Sequence, residues 1–152
     1  YGTFVFGCDN DTVGSFDQSV EFALRNKFLL ANFNPLTPTP GAPLFERMKE
    51  EGRLLHDRWW LDPDFRYGDA TFEPRGMSAT ELTAGCFSAR KKFNTANSIV
   101  RRMFDVHANL RTPYRAGIYL TANLLSRREI RRKQGRRLGS AGYQAMHPET
   151  SP

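Results

Sequence analysis

The sequence predicts an α/β fold: two parallel strands joined by a crossover helix, followed by a helical C-terminal extension. Two short apolar runs, Thr3–Cys8 and Leu29–Asn34, each feed a polar loop. Between them Phe16, Val20, Ala23, Leu24 and Phe28 recur at steps of three and four, the stripe of a helix laid on a sheet. Beyond residue 77 the pattern is largely helical. Strand, helix and second strand fit within about 30 residues, the size of a right-handed crossover unit.

The first strand, TFVFGC, is apolar enough for a central parallel position, and Gly7 within it permits close approach of a ligand or another backbone. Asp9-Asn10-Asp11-Thr12 is a polar loop leading into the helix, with Thr12 or Ser15 as N-cap. Ser15 and Gln18 have capping-box spacing. The organising stretch is Leu29–Met48. Its strand runs into Asn32 and Asn34, and Pro35, Pro38, Pro40 and Pro43 then stiffen the turn. Proline fixes φ and lacks an N–H, so neither strand nor helix continues through it. The result is an ordered polar loop after a strand, where α/β folds place ligands.

Pro43 suits a first helical position, and Gly52 a position just past the end of the short amphipathic helix Leu44–Glu51. Ala42 is a poor cap, so this helix start depends on the Pro-Gly turn. Residues 56–76 are aromatic and loop-like, and Asp69–Phe72 offers a third short strand. Trp59, Trp60, Phe65, Tyr67 and Phe72 either line a substrate region or cover the end of an open sheet. Ser78 and Glu81 form a capping box, stapled by Met77 and Leu82, for a helix running to about Phe104. Pro113 precedes a helix over Tyr114–Gln134, apolar in its first half and basic in its second. Residues 139–152 read as a disordered or edge tail. The chain thus divides at 1–55, 56–76, 77–138 and 139–152.

At 152 residues the chain is long enough for one cored domain. A charged fraction of 25% and a mean hydropathy of −0.56 point to a soluble protein, and the two distant cysteines to a reducing cytoplasm. No apolar run approaches the roughly 20 residues of a membrane span. The start at Tyr1, without Met or signal peptide, reads as a piece of a longer protein.

The +6 charge is local. Arg127, Arg128, Arg131, Arg132, Lys133, Arg136 and Arg137 stand against Glu129 alone, and the rest of the chain balances at 15 against 15. This tract is either a phosphate-binding nucleic-acid site or a face docking on an acidic part of a larger protein.

Metal chemistry finds no constellation. Asp9, Asp11 and Gly14 begin a calcium loop, but Val13 and Val20 occupy ligand positions. His56, His107 and His147 share no ligand spacing, and Cys8 and Cys86 lie 78 positions apart, as reduced thiols would. Asp9 and Asp11 remain notable for their place beyond a strand. They serve there either as turn formers or as ligand groups.

The pair FVFGCDNDT (Phe4–Thr12) and FNPLTPTPGAPLFERMKEEGRL (Phe33–Leu54) resembles the last two βα units of a radical S-adenosylmethionine enzyme, closest to the class with an N-terminal cobalamin-binding domain. The PGxPLxxRxKxEGRL segment is the specific part. The resemblance covers about a third of the chain. It implies two strands of a partial (β/α) barrel, S-adenosylmethionine and a [4Fe–4S] cluster for the full enzyme, and cobalamin as a further cofactor.

The family holds its cluster through CxxxCxxC, which is absent here, so cluster and early strands are expected in a missing N-terminal part of the same protein. By resemblance, Gly7 and Asp9 after the first strand, and Asn34, Leu36 and Thr37 after the second, help seat the cofactor. Ala42 departs from the Thr usual in relatives, which weakens a cap rather than a site. The substrate is an unknown small or lipid-like molecule, and the isolated piece is expected to be catalytically silent. Its exposed strand edge invites a homodimer.

Overall fold

A computed structural model describes residues 1–56, 58–105 and 109–137. In chain order it contains β1 (Gly2–Phe6), α1 (Gly14–Arg25), β2 (Ala31–Pro35), α2 (Pro43–Glu50), a single 3₁₀ turn (Trp59–Leu61), α3 (Ala79–Phe93), α4 (Ala96–Met103) and α5 (Pro113–Lys133). The α/β expectation holds: β1 and β2 pair in parallel from Gly2↔Ala31 to Phe6↔Pro35, and a helical part follows. No described helix is long and apolar enough to cross a membrane.

One face of the two-stranded sheet carries the core. Phe4, Phe6, Ala31 and Phe33 meet Phe16, Val20 and Ala23 of α1, Met48 of α2, and Leu82, Cys86, Ala89 and Phe93 of α3. The Phe4 and Phe33 rings stack 5.0 Å apart at 7°, and Phe6 lies 4.7 Å from Phe16. Gly85 lets α3 ride directly on the Phe16 ring, since a Cβ there would overlap it. Thr3, Val5 and Asn32, on the opposite face, are exposed.

Four expectations change. The helix expected from Ser78 to Phe104 is two helices. Asn94 ends α3, its amide donating to the Arg90 carbonyl at 3.0 Å, and Thr95 caps α4 by accepting from the Ser98 N–H. At α1 there is no capping box: Ser15 lies inside the helix and accepts from the Thr12 N–H at 3.1 Å. The third strand reduces to one isolated antiparallel bridge, Leu54↔Phe72. Gly7 stands beyond β1 rather than within it. By contrast, the Ser78–Glu81 capping box is present in both halves, and Met77 and Leu82 are buried in one cluster. Ala42 indeed makes no side-chain cap. Among the five aromatics of the connection, Phe72 is core while Trp60 and Tyr67 are 42% and 40% exposed. His107, His147 and the tail 139–152 lie outside the described residues.

The two edges of the sheet differ. In a parallel pair, alternate residues of a strand point their backbone groups to opposite sides. Leu36 N–H bonds back to the Phe6 carbonyl at 2.7 Å, so Phe33 faces outward from β2. That outward carbonyl accepts from Arg90 Nε at 2.7 Å. Just before β2, the Leu29 carbonyl accepts from Arg102 and Asn123. Side chains of α3, α4 and α5 therefore seal this edge. Among the described residues, the Thr3/Val5 edge of β1 has no strand beside it.

Candidate functional site

Both parallel strands end on the same side, and all five residues singled out for cofactor contact lie there. Gly7 has φ +104°, a conformation that side chains disfavour, and a Cβ would press on Leu82 and Phe72 at 3.0 Å. Gly7 and Cys8 both donate their N–H groups to one oxygen of Asp11, each at 2.9 Å. Asp11 is thus the former of this turn, one of the two roles open to it.

Asp9 points instead into a ring of charges. Its Oδ2 lies 3.0 Å from Arg47 of α2, and its Oδ1 lies 3.5 Å from Arg53 and 4.0 Å from Arg75. Glu51 bridges the same arginines, at 2.7 Å to Arg53 and 2.9 Å to Arg75. Arg53, only 13% exposed, also donates to the Glu73 carbonyl at 2.8 Å and lies over the Phe72 ring. Three basic and two acidic groups leave the ring one positive charge in excess. Arg47 and Arg75 are half exposed, so the ring presents cations toward any ligand at the strand ends. The PGxPLxxRxKxEGRL segment supplies Arg47, Glu51 and Arg53.

On the second strand, Asn34 Oδ1 accepts from Arg90 Nη2 at 3.2 Å. Arg90 Nη1 in turn reaches Gln134 at the end of α5, at 3.1 Å. The Asn34 amide nitrogen has no protein partner among the described residues. Leu36 is half-buried, and its N–H is committed to Phe6. The Thr37 hydroxyl is exposed, with one long bond of 3.5 Å to the Pro35 carbonyl. Of these residues, Asn34 and Thr37 have hydrogen-bonding capacity to spare, whereas the N–H groups of Gly7 and Leu36 are committed. The ring around Asp9 was not foreseen, because its members come from three segments far apart in sequence: the turn after β1, α2 with the residues just beyond it, and the loop before α3.

The donor set for a metal is poor. No group of three or more possible metal ligands exists among the described residues. Cys8 is exposed in the turn after β1, and Cys86 is buried in α3. The residues present do not fit an iron–sulfur cluster. Burial pushes the Cys86 thiol up to about 12, and partial burial with Asp11 and Asp9 nearby raises Cys8 above its ordinary 9.0. Titration of the native protein with a disulfide reagent at pH 8 should modify Cys8 alone, and more slowly than free cysteine. Cys86 should react only after unfolding.

Acidic carboxyls link this region to pH. The Arg53 hydrogen bond lowers the pKa of Glu51 below 4.5, and the Ser78 N–H does the same for Glu81. A depressed folded pKa gives stability that is present above the unfolded value and lost as pH falls through the folded one. Urea midpoints should therefore fall below about pH 4.5. Glu81→Gln combined with Glu51→Gln should flatten that acid limb, and an unchanged limb would contradict both assignments.

No known protein family's profile matches the sequence, and no solved structure matches it. The chain is similar to the bacteriochlorophyllide d C-12(1)-methyltransferase of Chlorobaculum tepidum, 31% identical over 102 residues that make up 67% of this chain. Those residues are 21% of that protein, so the chain spans about a fifth of the length of the curated relative it matches.

Proposed function

We propose that this chain is the C-terminal part of a radical S-adenosylmethionine enzyme and forms one wall of its cofactor pocket. The observation that carries the reading is similarity to a curated methyltransferase in a chain whose two parallel strands end together on polar groups. Of the two reaction types the sequence leaves open, methyl transfer and oxidation, that similarity favours methyl transfer. The PGxPLxxRxKxEGRL segment supports membership of the cobalamin-associated class. When bound, S-adenosylmethionine and its cluster supply radical chemistry at an unreactive carbon.

The chain's own part is positioning. The Asn34 amide nitrogen and the Thr37 hydroxyl donate to the cofactor, Gly7 and Leu36 set the wall's shape, and the Asp9 ring fixes the turn beside them. The free edge of β1 takes the preceding barrel strand. A protein extended upstream to include CxxxCxxC should, after reconstitution with iron and sulfide, show broad visible absorption and release 5′-deoxyadenosine under reduction. The 152-residue chain should do neither. In the longer protein, Asn34→Ala and Thr37→Ala should each weaken cofactor binding roughly tenfold, the effect of one hydrogen bond. A longer protein without cluster or cleavage would refute the proposal.

The isolated chain leaves its β1 edge unpaired, so we expect it to dimerise there. Light scattering should give twice the chain mass, and Val5→Lys should return a monomer by placing a charge on the edge. A monomeric parent chain would count against this pairing.

A further inference from the structure

The first half of α5 is apolar but largely unburied. Its inner side holds Tyr119 and Asn123 against the body, through a 2.7 Å bond to the Ile99 carbonyl and a 3.1 Å bond to the Leu29 carbonyl. Ile118, Leu124 and Leu125 face outward, at 45%, 61% and 57% exposure. Toward the C-terminus the same outer side carries Arg127, Arg128, Arg131 and Arg132, and with Leu124 these line a surface groove of about 500 Å³. Glu129 is engaged by Arg132 and Lys133. Among the described residues, Arg127, Arg128 and Arg131 form no salt bridge, although Arg128 lies near enough to Glu129 to help hold its carboxyl below the usual range.

This arrangement discriminates between occupants. A helix lying on a lipid surface sets basic residues beside an apolar stripe along its whole length. Here apolar and basic halves follow one another end to end. A nucleic acid would engage the arginines and leave the leucines in water. A protein surface that sets carboxylates beside apolar side chains satisfies both halves at once. Monomeric proteins seldom expose contiguous apolar patches of this kind.

We propose that the outer face of α5 is a docking surface for the remainder of the longer polypeptide, which meets it with an apolar patch adjoining carboxylates. This rests on reading the chain as part of a larger enzyme, and four-fifths of the matched relative's length lies outside the aligned segment.

The test compares labelling in the longer protein and in the 152-residue chain, both with Cys8→Ser. Leu124→Cys and, as a second probe, Ile118→Cys should react quickly with a maleimide in the short chain. In the longer protein both should slow at least tenfold, and Arg128→Glu with Arg131→Glu should restore fast labelling. Equal labelling in the two proteins overturns the proposal. So does binding of the longer protein to duplex DNA, or to vesicles of anionic phospholipid, that the same charge reversal abolishes. A longer protein lacking a cluster would refute the proposed function, while the labelling comparison would still decide the docking.

Discussion

Arg102→Met is expected to cost about 3–5 kcal/mol of stability, the range for disrupting a buried charged network. Arg102 is 1% exposed, although its chain position lies in a helix rich in polar residues. All five of its N–H groups are used. Nε donates to Ser98 Oγ at 3.2 Å, and Nη1 donates to the Phe28 and Leu29 carbonyls at 2.7 and 2.9 Å. Nη2 donates to the Phe93 carbonyl and Asn123 Oδ1, both at 3.0 Å. The guanidinium lies 3.7 Å above the Phe93 ring. Burial brings its pKa down to about 10, so it stays charged at neutral pH.

Methionine fills similar volume but leaves the Phe28 carbonyl and Asn123 Oδ1 without their donor, each a desolvation cost of about 1–3 kcal/mol, while the Leu29 and Phe93 carbonyls keep Asn123 and Ser98. Because the Phe28 acceptor is a backbone carbonyl, no apolar swap can remove it as well. Arg102→Lys keeps the charge but loses the fork, and about half the penalty should remain. Urea unfolding at pH 7 measures both, and a loss under about 1 kcal/mol for Arg102→Met would remove Arg102 as the joint between α4, α5 and β2.

Gly76→Ala is expected to destabilise by about 2–3 kcal/mol, at the upper part of the range for overpacking. A Cβ at Gly76 would overlap the backbone carbonyl oxygen of Asp11. That carbonyl cannot retreat freely, because the Asp11 carboxylate holds the Gly7 and Cys8 N–H groups. The φ of Gly76 lies outside the left-handed range, so the cost is one of contact. Relief requires moving either the turn that carries Asp9 or the start of α3. Gly117→Ala gives the contrast. It lies inside α5 with no atom within 4 Å of a new Cβ, and should gain about 0.5–1 kcal/mol. Opposite signs for one substitution at two glycines separate steric contact from helix propensity.

Much of the architecture was legible because local signals agreed with it. The stripe of α1, the proline start of α2 and the Ser78–Glu81 box each act within a few residues. The break at Asn94-Thr95 was masked, since Phe93, Val100 and Phe104 keep helical apolar spacing across it. Two successive caps decide that break, and capping residues also occur inside helices. Arg90 and Arg102 were missed for a related reason. A charged residue in a helix reads as outward, whereas these two are buried because long side chains reach carbonyls at the edge of β2. The apolar half of α5 was read correctly as apolar, yet Leu124 and Leu125 are turned away from the core. At the site, the place of Asp9 was legible from the strand before it. Its partners Arg47, Arg53 and Arg75 were not, because only folding brings those segments together.

The sealing of β2 by arginines also sets how the chain can assemble. An edge occupied by guanidinium groups has no carbonyl at Phe33 left to offer an incoming strand. Each copy therefore keeps one adhesive edge instead of two. When two copies meet through β1 about a twofold axis, both adhesive edges are consumed and none is left to recruit a third. The proposed pairing is therefore expected to stop at two copies, with the route from a sheet edge to an endless fibre cut by side chains rather than by a further strand.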